Sequence, residues 1–156
     1  MSADDLKPAA ETQGDPVEFA VLTEIAIIAH LADTAFARLL PKGFTTAQFG
    51  VLNHLIRKDT QETIGELASA MQVSQPTMSS TVRKLEDSGF IELVYDPDDR
   101  RVRRVSVTKS GRAIRAESIK SLNAMKTSAL KDIDPADWAL VLPALGRIRK
   151  TLDAAR

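Results

Sequence analysis

Between Ile64 and Val107 the hydrophobic pattern changes period once, and that change constrains the fold more than any other feature of the chain. Ile64, Leu67, Ala68 and Met71 recur at i, i+3, i+4 and i+7, the stripe of a short amphipathic helix. Gln72-Val73 form a tight turn. Met78, Val82 and Leu85 then mark a second helix of the same period, closed by Ser88-Gly89. From Ile91 onward the apolar residues alternate instead. Ile91, Leu93 and Tyr95 lead into the turn-forming Asp96-Pro97-Asp98-Asp99, and Val105 and Val107 return. Two short helices on a tight turn, followed directly by a hairpin, predict a helix-turn-helix with a projecting wing.

Helix punctuation extends this lobe in both directions. Thr45-Thr46-Ala47-Gln48 and Thr63-Ile64-Gly65-Glu66 are capping boxes, in which a threonine hydroxyl and a Gln or Glu side chain satisfy each other's free backbone amides. Ser74 caps the second helix of the pair, with Pro76 in its first turn, where a missing N–H costs nothing. The lobe therefore runs over about 45–107. A long helix is expected over 16–40, started by Asp15 as cap with Glu18 in the reciprocal position, and ended by Pro41 and Gly43. Its apolar residues (Val21, Leu22, Ile25, Ile28, Leu31 and others) lie on more than one face, so it needs cover on several sides. A second copy of the chain or the interior of a monomer would each provide it. Thr108 caps another long helix, about Lys109 to Lys131, and Asp134-Pro135 starts the last, with the stripe Trp138, Val141, Leu142, Leu145, Ile148 and Leu152. Residues 1–14 are polar and acidic and are expected to be disordered. The fold class expected is mostly α with a small β-hairpin, a single domain over 15–156.

The face of the second helix opposite its apolar stripe carries the chemistry. Ser74, Gln75, Thr77, Ser79, Ser80, Arg83 and Lys84 are all polar, and none is a long aliphatic residue. A major groove about 12 Å wide admits one helix, and small hydroxyl residues allow it to approach closely. Gln75 suits adenine; Arg83 suits guanine or a phosphate. Arg100 and Arg101 sit at the hairpin tip, a narrow projection suited to the minor groove. The neighbouring acids are expected to hold the tip guanidinium pre-aimed. Net charge is zero, yet residues 1–36 hold seven acids against Lys7 alone, and Arg100 to Lys120 hold eight basic residues against Glu117. Charge so distributed permits phosphate binding.

The runs Ile64-Gly65-Glu66-Leu67-Ala68, Val73-Ser74-Gln75-Pro76-Thr77-Met78-Ser79 and Val82-Arg83-Lys84-Leu85-Glu86-Asp87-Ser88-Gly89-Phe90-Ile91 resemble the MarR family of bacterial regulators. So do Asp96-Pro97-Asp98-Asp99-Arg100-Arg101 and Val105-Ser106-Val107-Thr108-Lys109-Ser110-Gly111-Arg112. The resemblance covers about residues 17–153. It implies a homodimer paired through 16–40 and 109–153, a recognition helix over Ser74–Ser88 in the major groove, and Arg100 in the minor groove. A two-fold dimer then implies a pseudo-palindromic operator with half-site centres about 10–10.5 bp apart, or a multiple. It also implies a repressor released by a small aromatic or anionic effector.

Other function classes fit less well. There is no cysteine, which excludes disulfides, thiolate chemistry and thiol redox sensing. No Gly-rich phosphate loop, Gly-x-Ser-x-Gly elbow or His-Glu-x-x-His motif is present, so no enzyme and no cofactor are expected. His30 and His54, the two histidines, fall on different predicted helices; they are weak candidates for effector contact, and no metal site is expected. The N-terminus lacks a secretory pattern, and Glu24, His30, Asp33 and Arg38 interrupt the apolar stretch Phe19–Leu40, so a cytoplasmic protein that does not enter a membrane is expected. The alternative is a winged-helix adaptor for another protein, which would be expected to show apolar anchors on the second helix.

Overall fold

The computed structural model describes residues 14–127 and 130–155. Of the expected acidic tail, only Gly14 is among them, in a turn. Among the described residues the chain forms six helices, α1 (Val17–Ala37), α2 (Thr46–Lys58), α3 (Ile64–Met71), α4 (Gln75–Asp87), α5 (Lys109–Thr127) and α6 (Pro135–Ala154). Between α4 and α5 lies one antiparallel hairpin, β1 (Ile91–Tyr95) and β2 (Arg103–Val107), with Leu93 opposite Val105. The molecule has two compact units, Met1–Leu122 and Asn123–Arg156.

The core of the first unit is built by α2, α3, α4 and the root of the hairpin. Val51, Leu52 and Leu55 of α2, Leu67 of α3, Val82 and Leu85 of α4 and Val105 of β2 are almost wholly removed from solvent. Burying one such leucine stabilises the fold by about 1.5–3 kcal/mol. Phe44 stands edge-on to Phe90, with ring centroids 5.7 Å apart, and closes one side.

Local sequence sets the helix boundaries. The Thr45 and Thr63 capping boxes form in full, each threonine hydroxyl accepting from the amide three residues on. Ser74 accepts from the Thr77 amide and caps α4. Gln72 takes the left-handed conformation (φ 53°) in the α3–α4 turn. The Thr108 hydroxyl accepts from the Gly111 amide at 3.1 Å and donates to the Gly89 carbonyl at 2.7 Å. One side chain thus starts α5 and fastens the hairpin's two ends together. Gly111 is required there, because a Cβ would lie 2.0 Å from the Phe90 carbonyl oxygen.

The start of α1 differs from expectation. Its cap position is Pro16, without a side-chain hydrogen bond, so Asp15 lies one residue too early and its box with Glu18 does not form. The helix ends at Ala37, three residues short of Leu40, with Arg38 as C-cap. At the C-terminal end of α1, Phe36 meets Phe49 edge-on at 4.7 Å, and the Thr46 hydroxyl donates to Asp33 at 3.5 Å. No residue of α1 is buried, and Ile28 and Leu31 are 59% and 63% exposed. The helix is long and apolar enough to cross a membrane by length and composition alone.

In the second unit the Asp134 carboxylate accepts from the Ala136 amide at 2.8 Å, the expected cap of α6. No residue of α6 is buried, and Trp138, Val141, Leu142 and Leu152 of its expected stripe are exposed.

Candidate nucleic-acid interface

Helix α4 is held by its apolar stripe of Met78, Val82 and Leu85, and this packing turns the opposite face outward. Ser74, Gln75, Thr77, Ser79, Ser80, Arg83 and Lys84 are all exposed, so the seven residues expected on this helix share its accessible surface. They are not equally free. The Ser74 and Thr77 hydroxyls lie 2.7 Å apart and serve the cap. Gln75 leans back toward α3: its Nε2 would stand 3.0 Å from a Cβ on Gly65, so the glycine makes room for it. Arg83 and Lys84 form no ion pair among the described residues and offer their full charge outward.

The wing tip separates the two candidate arginines. The Arg101 side chain is 92% exposed but is tied to its neighbour, its Nε donating to Asp99 at 3.3 Å while its backbone amide donates to the same oxygen at 2.9 Å. Arg100 is exposed and has no partner among the described residues. Of the two tip guanidiniums, the neighbouring acids hold that of Arg101 and not that of Arg100. Asp99 is committed to Arg101, and Asp96 turns inward to Arg104.

Arg104, which sequence reasoning passed over, is the best-partnered cation of the wing. Its Nε donates to Asp96, and its Nη1 to the Gln61 carbonyl and to Glu66, both at 3.2 Å. The other Asp96 oxygen accepts the amides of Asp98 and Asp99 at 2.8 and 3.2 Å. The Arg104 guanidinium, helped by those amides, holds the Asp96 carboxyl below the usual carboxylate range, and Asp96 in turn raises Arg104. Glu66 is lowered as well, first by the Thr63 amide it caps. The hint in the sequence was an arginine directly beside the buried Val105 in a short strand. Tyr95 and Arg103, opposite each other in the hairpin, form a second feature not anticipated: the guanidinium lies 5.9 Å from the ring centroid, and Tyr95 is 67% exposed.

His30 and His54 are not brought to a common site. His30 is exposed on α1. His54 bonds Glu62 at 3.0 Å, with Lys58 on the other carboxylate oxygen at 2.7 Å. Burial pushes Glu62 up, but these two partners outweigh it and leave its pKa lowered. Its backbone carbonyl accepts the Val105 amide at 2.8 Å, joining the α2–α3 loop to β2. Among the described residues no group of His, Asp or Glu is arranged to hold a metal. A cleft of about 300 Å³ lies between the end of α1, the start of α2 and the α3–α4 pair, lined by Asp33, Thr46, Gly50, Met71, Thr77 and Met78 among others. A second of similar volume, more polar, is lined by Asp59, Gln61, Ser106 and Arg112. Neither histidine lines either cleft.

Helix, tight turn, exposed polar helix and a hairpin with two arginines at its tip together define a winged helix-turn-helix. Residues 42–102 match the model of the MarR family. A relative, the transcriptional activatory protein BadR of Rhodopseudomonas palustris, is 36% identical over 75 residues, 47% of this chain and 43% of that protein, so the match spans less than half of the relative's length. Two solved structures share the fold. The transcriptional regulator BldR of Sulfolobus solfataricus superposes with a TM-score of 0.75 at 22% identity, covering 90% of this chain and 99% of that one. BpsR of Bordetella bronchiseptica, whose DNA binding is regulated by 6-hydroxynicotinic acid, gives 0.65 at 23% identity, covering 82% and 98%.

Proposed function

We propose that this chain is a sequence-specific, DNA-binding transcription regulator of the cytoplasm, acting as a homodimer and not as an enzyme. The observation that carries this reading is the outward face of α4, polar from Ser74 to Lys84, next in sequence to a wing whose Arg100 has no partner among the described residues. A cation left unpaired on a projecting loop favours a polyanion, and release of counterions from DNA makes such binding strongly salt-dependent. Ser79, Ser80 and Arg83 face the major groove, and Gln75 supplies its amide beside them; Arg100 and Arg101 enter the minor groove. The α4 face carries no apolar anchor of the kind a protein-binding adaptor needs.

The exposed apolar surfaces of α1 and α6 support dimerisation, because single chains rarely leave such stretches open to water. A second copy covering α1 also accounts for its apolar character without a membrane. The two-fold axis then calls for a pseudo-palindromic operator. Repression follows where that operator overlaps a promoter; the name of BadR records activation, which the same DNA grip produces from an upstream site. The cleft beside α4 is the proposed effector site. Asp33 is the charged side chain in its lining, which favours a small aromatic molecule with hydrogen-bond donors over a bare anion. Such a molecule acts only through unequal affinity for DNA-competent and incompetent states.

The decisive test is a binding titration against the chain's own upstream intergenic DNA and an unrelated duplex, at two salt concentrations. Preference for the cognate duplex, steep salt dependence and saturation at one dimer per site support the regulator. No binding to either duplex at low salt sinks it and favours the adaptor. Deleting the gene beneath a reporter gives the sign of regulation: a rise means repression, a fall activation.

A further inference from the structure

Arg104 does not point outward with the other wing cations. Three chain segments meet on its guanidinium: the Gln61 carbonyl in the α2–α3 loop, the Glu66 carboxylate in the first turn of α3, and Asp96 at the base of the wing tip. In sequence these partners lie 43, 38 and 8 residues away. Each is already engaged in local structure. Glu66 bonds the Thr63 amide at 2.7 Å and so fixes the start of α3. Asp96 gathers the amides of Asp98 and Asp99 and so shapes the turn leading to Arg100. The Arg104 side chain is 29% exposed and that of Asp96 only 10%, so this pair is screened less than a surface ion pair.

We propose that Arg104 is a positioning residue that fixes the wing tip to the first helix of the helix-turn-helix and thereby aims Arg100 without itself touching DNA. The inference rests on the regulator reading above. A two-stranded hairpin has little intrinsic stability. Its root is held by Val105 in the core and by the Val105 amide on Glu62, but the tip beyond Tyr95 has no buried apolar anchor. The fork from β2 to Asp96 and Glu66 is the tie that spans this gap. A planar guanidinium is suited to it, because its separate N–H groups reach two carboxylates and a carbonyl at fixed angles. An ammonium reaches them only one at a time.

The test uses the full chain with Arg104→Met, which keeps an apolar stem, and Arg104→Lys, which keeps the charge without the fork. Amide exchange followed by NMR, without DNA, should show the Asp96, Asp98 and Val102 amides exchanging at least tenfold faster in Arg104→Met, with α4 amides unchanged. A merely destabilised protein would speed α4 as well, and that result overturns the proposal. In DNA titrations Arg104→Met should lose roughly tenfold in affinity when Arg100 is present and less than twofold in an Arg100→Ala background, the non-additivity expected when one residue acts through another. Equal losses in both backgrounds overturn it. Arg104→Lys should match Arg104→Met within twofold; full recovery would show that charge alone suffices and would overturn the geometric claim. An intact chain that binds no duplex brings down the regulator reading along with the proposal. Normal exchange and affinity in Arg104→Met, with the intact chain binding, bring down the proposal alone.

Discussion

Neighbouring arginines at the wing tip show how position decides what a charge does. Arg101 spends its guanidinium on Asp99, while that of Arg100 has no partner among the described residues. Arg100→Ala should therefore weaken duplex binding and lower the salt slope by about one unit, with no change in folding stability. A titration at three or more salt concentrations checks it, and an unchanged slope removes the wing from the contact. Asp96 is the opposite case, a carboxylate used internally. Its folded pKa lies below its unfolded one, near 3.9. Its contribution to stability is therefore full above the ordinary aspartate range and is lost as pH falls through the depressed folded value. Thermal melts below about pH 4 should fall more steeply for the native chain than for Asp96→Asn, which has no such proton to take up. Parallel curves would show that the carboxylate is not depressed.

Among the elements, those whose boundaries are written locally were the legible ones. Thr45 with Gln48 and Thr63 with Glu66 carry both halves of their boxes within four residues, so α2 and α3 start where expected. The switch to alternation at Ile91 likewise marks the hairpin's two strands, while their register, Leu93 opposite Val105, comes from the structure. Asp15 misled because Pro16 takes the cap position itself, and nothing in the local string distinguishes cap from first turn. The α4 surface was legible because a polar face opposite an apolar stripe must point to solvent. The Arg104 fork was not, since its partners in the α2–α3 loop and α3 meet it only after these elements and β2 have packed. Packing also makes Gly111 indispensable. Adding a methyl normally favours a helix by about 1 kcal/mol, but here it would press on the Phe90 carbonyl. Gly111→Ala should destabilise the lobe by about 3 kcal/mol, read as a lowered urea midpoint. A midpoint equal to or above that of the native chain would refute the close approach.

For the whole molecule, the open question is what lies against the apolar surface of α1. Leu31 is 63% exposed, so a charge there costs an isolated chain almost nothing. If a second copy covers it, Leu31→Glu buries an unpaired charge and should weaken association by about 3 kcal/mol, roughly a hundredfold. Light scattering should then report monomers at micromolar concentration, with operator affinity falling in step. A dimer of unchanged strength would show that α1 is not the interface. The Thr108 joint has a consequence of another kind. Its hydroxyl on Gly89 and its amide on Phe90, at 3.1 Å, knot the two ends of the wing to each other before the chain continues into α5. Between those ends the chain can gain or lose residues at the tip with little effect beyond the knot. Doubling a flexible loop costs only about 0.6 kcal/mol in closure entropy. Wing reach is thus a length that insertion beyond the Asp96–Arg104 tie can alter, leaving α4 and the start of α5 as they are.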